Sequence, residues 1–187
     1  MLKKLLVPII FLGILSGCTS TAQSSEDNNA LNEHSPPVQV ITQEEVEEAQ
    51  DNWAQGLISI GESENPEQRA SEVIDELYNY DEGTVLFKPT KASEIPFRAT
   101  KEEALSYFVG GAIQEDEGFA LEPWTKIRFD NHNFILRDNT ASVAGVYYFT
   151  SKETEEETKV EYTFGYTRAE DGKLKIDIHH SSLPYET

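Results

Sequence analysis

The chain has 187 residues, 34 of them acidic and 15 basic, for a net charge of −19; this balance excludes nucleic acid as a partner, because phosphate binding needs a clustered Lys and Arg surface. A single cysteine, Cys18, excludes an internal disulfide and any zinc site built on several thiolates. A field of this sign slows the approach of anionic substrates, hastens the exit of anionic products and leaves a neutral substrate indifferent.

Residues 1–17 open with Lys3 and Lys4 and continue into an apolar run from Leu5 to Leu15. That run fits a secretory signal and is too short to cross a bilayer comfortably. It ends in Leu15-Ser16-Gly17-Cys18, which resembles the lipobox of bacterial lipoproteins. The resemblance implies a cleaved signal peptide and a lipid, palmitate included, on Cys18 as the first mature residue. Thr19 stands where lipoproteins retained at the inner membrane carry Asp, so the expected location is the outer membrane, facing the periplasm. Cleavage removes two lysines and no acid, leaving a mature charge of −21. Residues 18–40 then supply the lipidated cysteine and a polar stretch with Pro36-Pro37, expected to be a disordered tether.

Residues 41–187 have the size of one domain with one core. Thr42 with Glu45 forms a capping-box pattern, and Val46, Ala49, Trp53, Leu57 and Ile60 recur at helical spacing, predicting a long helix with Trp53 in the core. A second helix is expected from Pro66, burying Ala70, Val73, Ile74 and Leu77 and stopping near Tyr80-Asp81-Glu82-Gly83. A short strand over Thr84–Phe87 follows, with Pro89 at its end and Thr90 at its exit. Thr100 and Glu103 make another capping box for a helix that carries Tyr107 and Phe108 and loosens at Gly110-Gly111. From Thr125 the pattern changes to strands, over Lys126–Phe129, Ala141–Thr150, Lys159–Thr167 and Leu174–Ser182. Helices first and a strand meander afterwards predict an α+β domain with helices packed on one face of a curved antiparallel sheet.

No metal site is expected. His34 lies in the tether and His132 in a predicted turn, while His179 and His180, adjacent on a strand, point to opposite faces. The acidic run Glu153–Glu157 reads as a solvated hairpin tip without the glycine-centred loop of a calcium site. No G-x-S-x-G elbow supports a serine nucleophile. The strongest candidate is the end of the last strand, His179-His180-Ser181-Ser182-Leu183-Pro184, taken together with hydroxyl groups upstream.

Several stretches carry a resemblance in order: Tyr80 to Thr90 ending in K-P-T, Tyr107-Phe108, Gly145-Val146-Tyr147-Tyr148-Phe149, Tyr162-Thr163-Phe164-Gly165-Tyr166, and the terminal H-H-S-S-L-P. Over residues 41–187 the chain resembles the bacterial relatives of the calcium/calmodulin-dependent kinase II association domain. These belong to the nuclear-transport-factor-2-like superfamily, whose members include iota-class carbonic anhydrases. The resemblance implies a cone, with the first helix lying in a strongly bent, cystatin-like sheet, and a pocket at its open end. It also implies metal-independent hydration of carbon dioxide to bicarbonate, with no cofactor, at Thr90, Tyr107 and Ser181, with His179 nearby. In that scheme the imidazole accepts a proton from the attacking water, and Thr90 and Tyr107 hydrogen-bond the developing oxyanion. A homo-oligomer is expected.

Strand alternation places Leu174, Ile176 and Ile178 in phase with His180 and Ser182, so these two are the reserve pair unless a bulge shifts the phase. The terminal motif is one residue shorter than the usual family form, Ile178 replaces the first of three successive histidines, and Glu161 stands where relatives carry Arg. Two other uses of the same cone are compatible with the sequence. One is a non-catalytic oligomerisation module or binder of a small apolar molecule, lined by Trp53, Tyr107 and Trp124. The other is an isomerase of the ketosteroid type with Glu161 as a deep carboxylate base.

Overall fold

Thr42 begins the first helix as predicted: its side chain accepts from Glu45 N–H while the Glu45 carboxylate accepts from Thr42 N–H, opening α1, Gln43–Glu62. A computed structural model describes residues 40–186, so the signal-peptide and lipidation assignments, and all but the last residue of the tether, lie outside the described residues. Val46, Trp53, Leu57 and Ile60 form the buried stripe of α1. Asn65 caps α2, Pro66–Leu77, through Gln68 N–H, and Ala70, Val73 and Ile74 face the core. The third helix, α3 (Lys101–Val109), has its own Thr100–Glu103 capping box and ends at Gly110, whose φ of 80° favours glycine.

The strands are β1 (Leu86–Lys88), β2 (Trp124–Leu136), β3 (Thr140–Ser151), β4 (Glu157–Arg168) and β5 (Leu174–Ser182), in sheet order β1-β5-β4-β3-β2. Two differ from expectation. β2 runs well past Phe129, so His132 sits in a strand, at a register irregularity between Asn131 and Asn133, rather than in a turn. β1 starts later than Thr84 and pairs with β5 in parallel, making the sheet mixed: Leu86 faces Ile178, Phe87 faces His179 and Lys88 faces His180. The parallel direction arises because the chain leaves α2 alongside β5, where Tyr78 bridges Ile176 and Asn79 N–H donates to Ile176 O at 3.0 Å.

A bulge in β5 decides which terminal side chains face inwards. Tyr166 pairs with Ile176 but Gly165 pairs with Ile178, which leaves Asp177 as the extra residue. Ile176 is therefore inward before the bulge, and His179 and Ser181 are inward after it, opposite Phe164 and Tyr162. Simple alternation from Ile176 and Ile178 fails here, since Ile178 is only half-buried and His180 is exposed.

Trp53 centres the core on the inner face of the sheet. Its ring stacks on Tyr147 at 5.8 Å between centroids and meets Phe164, Phe129 and His179 edge-on at 5.4–6.0 Å. Such geometry adds roughly 0.5–1.5 kcal/mol per aromatic pair to simple burial.

Candidate active site

Parallel pairing of β1 with β5 carries both strands to the same end of the sheet, so Thr90, just past β1, arrives beside Ser181. Thr90 Oγ1 donates to Ser181 Oγ at 2.8 Å, joining residues 91 apart in sequence. Lys88 Nζ donates to Ser181 O at 3.2 Å, and burial lowers the pKa of this lysine. Tyr147 of β3 reaches the same place: its buried phenol stands near enough to the Ser181 and Thr90 hydroxyls for both to lower its pKa against the larger effect of burial. From α3, Tyr107 Oη accepts from Lys91 N–H at 3.5 Å and lies close enough to Tyr147 for that phenol to disfavour Tyr107 ionisation. Burial above all pushes both tyrosines well up, so they stay neutral donors. Thr90 and Ser181 thus touch, the Tyr147 phenol stands beside them, and Tyr107 follows on the backbone N–H next to Thr90; each hydroxyl can either donate or accept.

Beside them lies His179. Its ring stacks on Phe87 at 4.5 Å and takes the edge of Phe164 at 4.3 Å. Nδ1 bonds Tyr78 Oη at 2.8 Å, and the same oxygen accepts from Trp53 Nε1–H at 2.9 Å. Nε2 is buried without a partner among the described residues. Burial, and then the charge of neighbouring His180, hold the His179 pKa well below the usual imidazole range, so the ring is neutral near pH 7.

The segment leading from Thr90 to α3 is clamped. Arg98, fully buried, pairs with Asp116 and lies 3.7 Å from Glu115, with its guanidinium 5.9 Å from the centre of the Tyr107 ring. The Glu115 carboxylate accepts N–H bonds from Glu94, Ile95 and Ser93, which lower its pKa to about 2. A cavity of about 410 Å³ opens between this clamp and the 3-10 turn Phe119–Leu121; Tyr107 and Lys91 belong to its wall, as do Glu115, Asp116 and Glu122, whereas Thr90 and Ser181 do not.

A family model described as metal-independent carbonic anhydrase matches residues 44–183. The chain belongs to the metal-independent carbonic anhydrase family. It is 38% identical to a metal-independent carbonic anhydrase of Nostoc sp. strain PCC 7120, over 98% of this chain and 97% of that protein. It is also similar to the crystal structure of an iota-carbonic anhydrase from a cyanobacterium complexed with bicarbonate, with a TM-score of 0.75 and 39% identity over 79% of this chain and 95% of that one. A putative ketosteroid isomerase from Parabacteroides distasonis shares the fold alone, at a TM-score of 0.50 and 19% identity over 84% of this chain and 94% of that one. Carbonic anhydrase activity is what this family membership supports.

Within this carbonic anhydrase domain, Thr90 and Ser181 touch directly, Tyr107 joins them through Lys91 and Tyr147, and His179 lies on the same face of β5 as Ser181. The reserve residues fall elsewhere. His180 is exposed, and Ser182 is half-buried opposite Glu161. Glu161 itself is exposed on the outer face, so it is not a carboxylate inside the cone, and the isomerase reading loses its base. The apolar-pocket reading fares no better, because Trp53 is bonded within the core and the cavity beside Tyr107 is walled by carboxylates. Among the described residues no three His, Cys, Asp or Glu side chains converge as metal ligands. Tyr147 lies within the Gly145–Phe149 stretch, whose residue types alone assign it no role. The alternation of Val143, Tyr147 and Phe149 along one face of β3 would have pointed it inwards. Tyr78, at the end of a helix, and Arg98, in a loop, carried no comparable signal.

Proposed function

We propose that the domain hydrates carbon dioxide to bicarbonate without a metal at Thr90, Tyr107, Tyr147 and Ser181, beside the neutral imidazole of His179. The observation that carries this reading is the Thr90–Ser181 hydroxyl pair, made by two strands that meet only through the parallel β1–β5 pairing. The bicarbonate named for the cyanobacterial relative suits such an array, since its three oxygens need both donors and acceptors.

In the forward direction the oxygen of a held water bonds to the carbon of carbon dioxide, one C=O π pair moves onto oxygen, and the water gives up one proton. Hydroxyl donors fixed around that oxygen stabilise the charge as it develops. The released proton passes along the hydroxyl array, each member accepting and donating in turn, towards solvent at half-buried Thr90. The strongly negative chain then favours departure of the bicarbonate anion. The test is carbon dioxide hydration by stopped flow with a chelator present. We expect wild-type activity above buffer and losses of about 100-fold in Thr90→Ala, Tyr107→Phe and Ser181→Ala; a wild-type rate equal to buffer rejects the reading.

Cys18, acylated after signal cleavage, would display this domain from the outer membrane into the periplasm, as a homo-oligomer. Labelled palmitate incorporated by the wild type and not by Cys18→Ala, with the wild type in the outer-membrane fraction, is the expected result. Light scattering of the acylated chain in detergent checks the assembly.

A further inference from the structure

The proton inventory around His179 is decided by its neighbours. Trp53 Nε1–H can only donate, so Tyr78 Oη accepts from it at 2.9 Å. Two arrangements remain for the 2.8 Å contact between Tyr78 Oη and His179 Nδ1. If Nδ1–H donated to the phenol, the Tyr78 proton would be left without an acceptor and Nε2 without a donor, two unpaired groups in a site where both rings are nearly inaccessible. If Tyr78 donates to Nδ1, every bond in the row is satisfied and one group is left over, the proton on Nε2. An unsatisfied buried group forfeits its hydration with nothing in return, so the arrangement that leaves one such group prevails over the one that leaves two.

We propose that Trp53 and Tyr78 are positioning residues that lock neutral His179 as the Nε2–H tautomer, making its ring a hydrogen-bond donor to a substrate oxygen rather than the proton acceptor. This deepens the carbonic anhydrase reading and rests on it for the identity of the substrate. The donor stands on the face of β5 that carries Ser181, and Nε2 is a buried polar atom there without a partner among the described residues. An imidazole with Nδ1 filled by a phenol proton and Nε2 already protonated has no lone pair free for the proton that water loses. That proton therefore leaves through the hydroxyl groups.

The test is nitrogen NMR of the full chain labelled with ¹⁵N-histidine, with His179 assigned by its loss in His179→Gln. The expected wild-type spectrum shows a pyrrole-like Nε2 and a pyridine-like Nδ1, unchanged from pH 8 to pH 6, and an Nε2–H resonance that moves on adding bicarbonate. Tyr78→Phe should turn His179 into a mixture of tautomers and lower kcat by roughly 10-fold or more. Trp53→Phe, which keeps an aromatic ring and removes the donor to Tyr78, should shift the tautomer balance in the same direction. A proton on Nδ1, a charged ring, or a tautomer unaffected by Tyr78→Phe overturns the proposal. An active enzyme whose Nε2–H ignores bicarbonate overturns the donor role while leaving the hydration reading standing. An inactive wild type with the predicted tautomer rejects hydration and keeps the lock.

Discussion

Asp177 Oδ1 lies 2.7 Å from the point where a side chain on Gly165 would begin. The bulge in β5 fits only because its partner strand carries no Cβ there, and that bulge turns His179 and Ser181 inwards. Gly165→Ala should therefore cost roughly 1–3 kcal/mol by crowding Asp177 and Ile178. It should also reduce hydration far more than that loss of stability explains, because a slip to regular pairing would present His180 and Ser182 instead. Urea unfolding and stopped-flow rates on the same sample separate the two effects.

The Thr90 and Ser181 hydroxyls act on one another, so their losses should not add. If each single alanine variant lowers kcat by about 100-fold, the double variant should fall little further, since either change already breaks the array. Multiplicative losses in a double-mutant cycle would show two independent contributions.

Tyr147→Phe preserves the ring stacked on Trp53 at 5.8 Å and removes only the phenol that meets Ser181 and Thr90. Stability should change by no more than about 1 kcal/mol, the worth of one hydrogen bond, while kcat falls by about 100-fold. Thermal melts set beside hydration rates check this.

Stability should fall with acidification below about pH 6.5. His179 has a depressed pKa in the folded protein, so the unfolded chain binds a proton there first, and stability rises with pH across that window. The slope per proton is at most about 1.4 kcal/mol per pH unit. Glu115, held at about 2, acts in the same direction further down, its contribution present above the unfolded carboxylate range and lost as pH falls towards 2. Urea midpoints at pH 7.5 and 5.5 should differ in the wild type and converge in His179→Gln.

Removing Arg98 leaves buried Asp116 without its main cation. Arg98→Met should cost roughly 3–5 kcal/mol, and Arg98→Met with Asp116→Leu should recover much of it, because the second change removes the stranded charge. Urea denaturation of both variants gives the comparison, with hydration rates reporting how far the Thr90 segment loosens.

Local chemistry was legible in the chain itself. Thr42–Glu45 and Thr100–Glu103 specify helix starts by bonds that reach only three residues, Pro66 and Gly110 mark a start and an end, and the tyrosine- and valine-rich alternation specifies strands. Thr90, Tyr107, Ser181 and His179 were picked out by a resemblance of motifs, not by any spacing that brings them together. What only the tertiary structure decided depends on partners far along the chain. The parallel entry of β1 beside β5 sets Thr90 against Ser181. One unpaired residue opposite Gly165 inverts the inside and outside of β5. The phenols of Tyr78 and Tyr147 become part of the site because burial against Trp53 directs them there. A one-residue shift in pairing reverses every later side chain on a strand, and strand composition alone does not show where such a shift falls.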